Sequence, residues 1–130
     1  MNTGTVLVVD DDAAIRDLVQ VALEDEGYTV SVAGDGTALR HAHAQQLDLI
    51  LLDLTLVGVA GGAMVERLRA DPATAHISLI GFSARNDGVV LAARMQLDDL
   101  LPKPFDLEDL FALVARWVAA GRHRRALAHC

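Results

Sequence analysis

The sequence predicts an α/β fold: a doubly wound (βα)5 domain whose five-stranded parallel sheet carries helices on both faces. Two observations predict it. Short apolar runs and helical patterns alternate five times along 130 residues, which implies parallel strands joined by right-handed crossovers. Three of the runs are also apolar almost without a break, as strands covered on both faces must be.

The elements follow in order. Thr5 to Val9 (TVLVV) is the first strand. Ile15, Leu18, Val19, Ala22 and Leu23 then recur at helical spacing, one buried face of a helix that Asp12 caps and Gly27 ends. Tyr28 to Ala33 (YTVSVA) alternates and reads as an edge strand, and a weaker helical pattern covers about Thr37 to Gln46. Leu49 to Leu52 (LILL) is the third strand, followed by a helical stretch from Gly62 to Ala70. Ile77 to Phe82 (ISLIGF) and a helix from Asn86 to Met95 make the fourth unit. Leu100 to Pro102 (LLP) is the shortest strand. Leu107, Leu110, Phe111, Val114 and Val118 mark the last helix, with Asp106 as its N-cap. The domain is expected to fill residues 1–120. Gly121 to Cys130 leaves the pattern and reads as a frayed tail or junction.

Composition narrows the function. At 130 residues the chain is one domain with room for a core. That core is aliphatic, since 52% of residues are hydrophobic and only 4% aromatic. A formal net charge of −7 argues against binding nucleic acid or anionic lipid through the surface field. The one cysteine, Cys130, leaves no internal disulfide to form and fits a reducing compartment. No basic region opens the chain and no run reaches the roughly 20 apolar residues that span a bilayer. The expected setting is the cytoplasm, without a membrane.

One stretch asks for chemistry. Asp48 to Leu56 reads DLILLDLTL, an aliphatic run carrying a carboxylate at Asp53. Burying a lone carboxylate costs several kcal/mol, so Asp53 is shifted in pKa, paired, metal-bound or clear of the strand's end. In a doubly wound sheet, ligands bind outside the carboxyl ends of the strands. Asp10, Asp11 and Asp12 follow the first run, Asp53 the third, Ser83 the fourth, and Lys103 with Pro104 the fifth. Three clustered carboxylates call for a cation, and hard oxygen ligands suit Mg²⁺. A lysine and a hydroxyl beside them suit a tetrahedral anion transferred onto Asp53.

Together VLVVDDDAAIRDLV, LILLDLTL, LIGFSAR and LLPKPF resemble, in order and spacing, the receiver domain of two-component response regulators, over about Val6 to Ala119. The resemblance implies a flavodoxin-like fold with strand order 2-1-3-4-5. It implies Mg²⁺-dependent transfer of a phosphoryl group from a histidine kinase or phosphotransfer protein to Asp53, which then alters binding to a downstream protein. By position, Asp10 and Asp11 hold Mg²⁺ with Asp53 and the main-chain carbonyl of Thr55. Ser83 is the switch hydroxyl, Lys103 the phosphate-contacting lysine, and Pro104 follows a cis peptide. Thr55 and Arg85 border the path of attacking water. The domain is expected to be a monomer or a weak, phosphorylation-dependent homodimer with at most weak autophosphorylation and autodephosphorylation.

Several positions depart from the family pattern. Val57 stands where a proline is common, Leu100 where an aromatic ring swings inward, and Leu113 where one DNA-binding subfamily has a dimer-forming arginine. Each site residue also has a plainer reading when taken alone: Asp53 or Asp12 as a cap, Ser83 and Lys103 as turn residues. His41 and His43 point to different sides of a helix. His123, His129 and Cys130 do not match a zinc spacing. Arg122, Arg124 and Arg125 suit the negative end of the last helix. A phosphatase of the haloacid-dehalogenase type also uses a nucleophilic aspartate, but it needs a second aspartate where this chain has Thr55. Dinucleotide and P-loop patterns are missing from the sequence.

Overall fold

A computed structural model describes residues 3–35, 46–54, 60–84 and 87–128. Five parallel strands form one sheet in the order β2-β1-β3-β4-β5. They are β1 (Thr5–Val9), β2 (Thr29–Ala33), β3 (Leu49–Asp53), β4 (Ser78–Ser83) and β5 (Asp99–Pro102). The helices are α1 (Ala13–Asp25), α2 (Ala60–Ala70), α3 (Gly88–Arg94) and α4 (Leu107–Ala128). The helical pattern at Thr37 lies outside the described residues but for its last position, as do Thr55, Val57, Arg85, His41, His43, His129 and Cys130. None of the described helices is long and apolar enough to cross a membrane.

Strand alternation sorts the core into two layers. Val6, Val8, Leu49, Leu51, Ile80 and Phe82 pack with Val19 and Leu23 of α1 and Leu110, Val114 and Val118 of α4. Leu7, Val9, Ile50, Leu52 and Leu79 pack on the other face with Val65 and Leu68 of α2 and Met95. The period of two in each strand thus feeds both faces, and each fully buried aliphatic side chain contributes about 1.5–3 kcal/mol. β2 is an edge strand, as its alternation predicts, with Val30 buried and Thr29 and Val32 exposed.

Boundaries follow local chemistry. Asp12 caps α1, its Oδ1 accepting from the Ala14 and Ile15 amides at 2.9 and 3.3 Å. Gly27, at φ 103°, takes the left-handed turn that carries the chain into β2. β3 and β4 each run one residue further than the apolar pattern, so Asp53 and Ser83 are their last residues.

The chain's end differs from the expectation. Residues 121–128 are helical: α4 continues to Ala128, 22 residues in all. Arginines rather than aliphatics hold its last turns to the amino edge of the sheet. Arg122 donates to the Thr3 carbonyl at 3.1 Å, and Arg125 to the Gln46 carbonyl at 3.1 Å. Arg125 also lies 3.1 Å from Oδ1 of buried Asp48, an ion pair without hydrogen-bond alignment. Arg124 and Arg69 meet Asp98 at 3.3 and 3.1 Å. Gly121 permits this docking, since a Cβ there would run into the Asp48 main-chain oxygen. In an open helix Gly→Ala gains about 1 kcal/mol. Here Gly121→Ala should lose about 2 kcal/mol to overpacking, read by urea denaturation; a gain would show that α4 is not seated on Asp48.

Candidate functional site

The carboxyl ends of the strands converge on one acidic pocket. Asp10 leaves β1 fully buried, Asp53 ends β3 at 5% exposure, and Asp11 is exposed between them. One carboxylate oxygen from each lies within 4.8 Å of the other two. Leu54 follows Asp53 and folds back over β4, where Gly81 leaves room: a Cβ there would stand 3.0 Å from the Leu54 side chain. That packing fixes the chain just beyond the acid.

Lys103 completes the pocket. Its amide donates to the Ser83 carbonyl at 2.8 Å, and the Lys103–Pro104 peptide is cis. Its Nζ sits 2.8 Å from Asp10 Oδ2 and 3.6 Å from Asp53 Oδ2. Burial pulls the ammonium's pKa down, but the hydrogen bond to Asp10 and the charges of Asp53 and Asp10 outweigh it, and the net shift is upward. Lys103 is therefore a cation at neutral pH. It also lies 5.5 Å from the centre of the Phe82 ring, which stacks on Phe105 at 5.7 Å. Neither ring entered the sequence reading of the site, although each flanks a motif residue, Phe82 before Ser83 and Phe105 after Pro104.

Ser83 is buried beside α3. A Cβ on Gly88 would stand 3.2 Å from Ser83 Oγ and 3.4 Å from Leu100 Cδ2. Gly88 thus faces both Ser83 and Leu100 with little room for a side chain between them, and the half-buried Leu100 packs against the α2–α3 layer. The structure therefore brings together Asp10, Asp11, Asp53 and Lys103, with Ser83 at the same edge; Thr55 lies outside the described residues. One further contact had no forewarning in the apolar pattern. Arg16 of α1 donates to the Asp10 carbonyl at 3.0 Å.

The donor set fits a hard divalent cation. Three carboxylate oxygens at mutual distances under 4.8 Å can share one ion, and Mg²⁺ binds through a few carboxylates while keeping several waters. Two of the three carboxylates are buried, which sharpens the repulsion that a cation relieves.

Comparison with known proteins agrees with this geometry. The sequence profile described as the response regulator receiver domain matches residues 6–115. The DNA-binding dual master transcriptional regulator RpaA of Synechocystis is 41% identical over 112 residues, 84% of this chain and 46% of its own. The chain spans about half the length of that relative. A putative response regulator from Chloroflexus aurantiacus superposes with TM-score 0.80 at 26% identity, covering 91% of this chain and 99% of its own. The receiver domain of a sensor histidine kinase from Pseudomonas aeruginosa, with a magnesium ion coordinated in its active-site cleft, superposes with TM-score 0.79 at 26% identity over 91% of this chain and 99% of its own. With strand order, acidic pocket and sequence profile in agreement, the chain belongs to the response regulator receiver domains of two-component signalling.

Proposed function

We propose that this domain accepts a phosphoryl group on Asp53 from a histidine kinase or a histidine phosphotransfer protein and thereby changes its affinity for a downstream protein. The observation that carries the reading is the convergence of Asp10, Asp11 and Asp53 with the Lys103 ammonium at one sheet edge. Asp10, Asp11 and Asp53 would hold Mg²⁺, with the Thr55 carbonyl added by family resemblance. When bound, the ion would neutralise charge on the carboxylates and the phosphoryl oxygens, so that one anion could approach another.

The chain's own residues do the rest. A carboxylate oxygen of Asp53 attacks phosphorus as the P–N bond to the donor histidine breaks, and that bond's electron pair stays on the imidazole. Lys103 offers a fixed positive charge to the phosphoryl oxygens, and Ser83 a hydroxyl donor. Attack of water on phosphorus later returns the carboxylate and inorganic phosphate. Leu100 has no ring to swing and already touches the site of Gly88, so the face from α3 to α4 gains little from inward packing. With net charge −7, direct nucleic-acid binding is not expected of this domain. RpaA's name says DNA-binding, and a transcriptional output would belong to a longer protein containing such a receiver. The setting is the cytoplasm, and the domain is a monomer or a weak phosphorylation-dependent homodimer.

Incubation with Mg²⁺ and acetyl phosphate tests the reading by intact-mass spectrometry. The chain should gain one phosphoryl group, and chelation should prevent it. An unlabelled protein would overturn the reading. Steady release of phosphate from a monoester would favour the phosphatase alternative, which Thr55 disfavours.

A further inference from the structure

We infer that Arg16 is a positioning residue for the divalent-cation site, holding the Asp10–Asp11 peptide so that the Asp11 carboxylate meets Asp53; the inference rests on the phosphoacceptor reading above. Asp10 is held at every polar atom. Its amide donates to the Ala33 carbonyl at 3.0 Å, Oδ1 accepts from the Asp12 amide at 2.9 Å, and Oδ2 accepts from Lys103 at 2.8 Å. The β1–β3 register ends at Val9 and Leu52. Beyond it, the Asp10 carbonyl takes its donor from the Arg16 guanidinium at 3.0 Å. The peptide unit is planar. Holding its oxygen therefore fixes where the Cα of Asp11 stands, and Asp11 is the exposed member of the three.

Two features show that the guanidinium is seated by construction. Arg16 lies in the first turn of α1, and helical side chains lean toward the N-terminus. A cation there opposes the helix dipole, so helix energetics alone would not favour it. Gly34 then leaves the space. It is not among the positive-φ glycines, so its backbone does not demand glycine. A Cβ at Gly34 would instead stand 2.7 Å from Arg16 Nη1.

Charge and position predict opposite signs, which makes the test decisive. Removing a cation beside an acidic pocket should tighten Mg²⁺ binding if Arg16 acts through its charge. If Arg16 positions the peptide, Arg16→Ala should weaken Mg²⁺ binding about tenfold, the loss usual for an outer partner of a metal site. Gly34→Ala keeps the charge, meets only the far end of a flexible side chain, and should weaken binding similarly. The double variant should be no worse than Arg16→Ala alone, since both remove one interaction. Arg16→Lys, a single ammonium in place of a fork, should fall between. Calorimetric titration with Mg²⁺ reads the affinities, and melting curves without metal confirm folding. Unchanged affinity in Gly34→Ala, or tighter binding in Arg16→Ala, overturns the inference while leaving phosphorylation of Asp53 intact. A wild-type chain that binds no Mg²⁺ overturns both.

Discussion

Asp53→Asn is expected to take up no phosphoryl group from acetyl phosphate and, without metal, to melt at a higher temperature than the wild type. The first half follows from chemistry, since an amide is not a nucleophile toward phosphorus at neutral pH. The second follows from charge. Like charges 4.8 Å apart, the limit that bounds the pocket's carboxylates, repel by about 3 kcal/mol at an effective dielectric of 20. Asp53 faces two such neighbours and one ammonium at 3.6 Å. Asp11 is exposed and its share is screened. A net gain of about 1 kcal/mol remains, or roughly 3–4 °C for a domain of this size. Saturating Mg²⁺ should reverse the order, because the wild type, with all three carboxylates, binds it more tightly than the variant and gains more. Scanning calorimetry with and without Mg²⁺ reads both arms. Equal melting temperatures without metal would mean that the three carboxylates are not in strain.

Lys103→Met carries the second large effect, and it divides stability from affinity. Asp10 is fully buried, and the ammonium 2.8 Å away is its charge partner. Breaking a buried pair by removing one member costs about 3–5 kcal/mol, reduced here because Lys103 keeps some contact with water. About 2–3 kcal/mol should be lost at neutral pH. Lys103's pKa is raised in the fold, so its contribution is fully present below its unfolded value of 10.5 and fades as pH climbs through the folded one. The difference between wild type and variant should thus stay flat from neutral pH to about 10 and shrink above it. Mg²⁺ binding should tighten about tenfold, because the ammonium no longer competes for Asp10. That is opposite in sign to the loss expected for Arg16→Ala. Urea denaturation across pH and calorimetric titration check the two parts; weaker Mg²⁺ binding in Lys103→Met would show that the lysine organises the carboxylates instead of competing for them.

What was legible in the sequence was what repeats or what stands at a strand's end. The aliphatic runs of β1, β3 and β4 need burial on both faces, so their alternation with helices dictates layers and crossovers. Asp10, Asp53, Ser83 and Lys103 were legible because polar groups that end apolar strands collect at one edge. Contacts between distant side chains and backbone were not. Gly34 looks like any turn glycine until the guanidinium beside it is known. Phe82 reads as core, and only its stacking on Phe105 shows that it also lies under Lys103. Hydrophobic periodicity does not reveal that α4 runs on to Ala128, because it cannot register arginines that grip carbonyls and carboxylates on a sheet's amino edge.

The third strand joins two unlike ends. Asp53 closes it at the acidic pocket, while Asp48, just before it, receives Gly121 and Arg125 of the last helix. Five residue steps, about 16 Å of dry aliphatic strand, separate them. Perturbations that far apart, with no shared partner, combine additively. The scaffold is therefore modular. Helix docking at the base can be tightened or loosened by substitution without retuning the acidic pocket, and the pocket can change its carboxylates without unseating the helix.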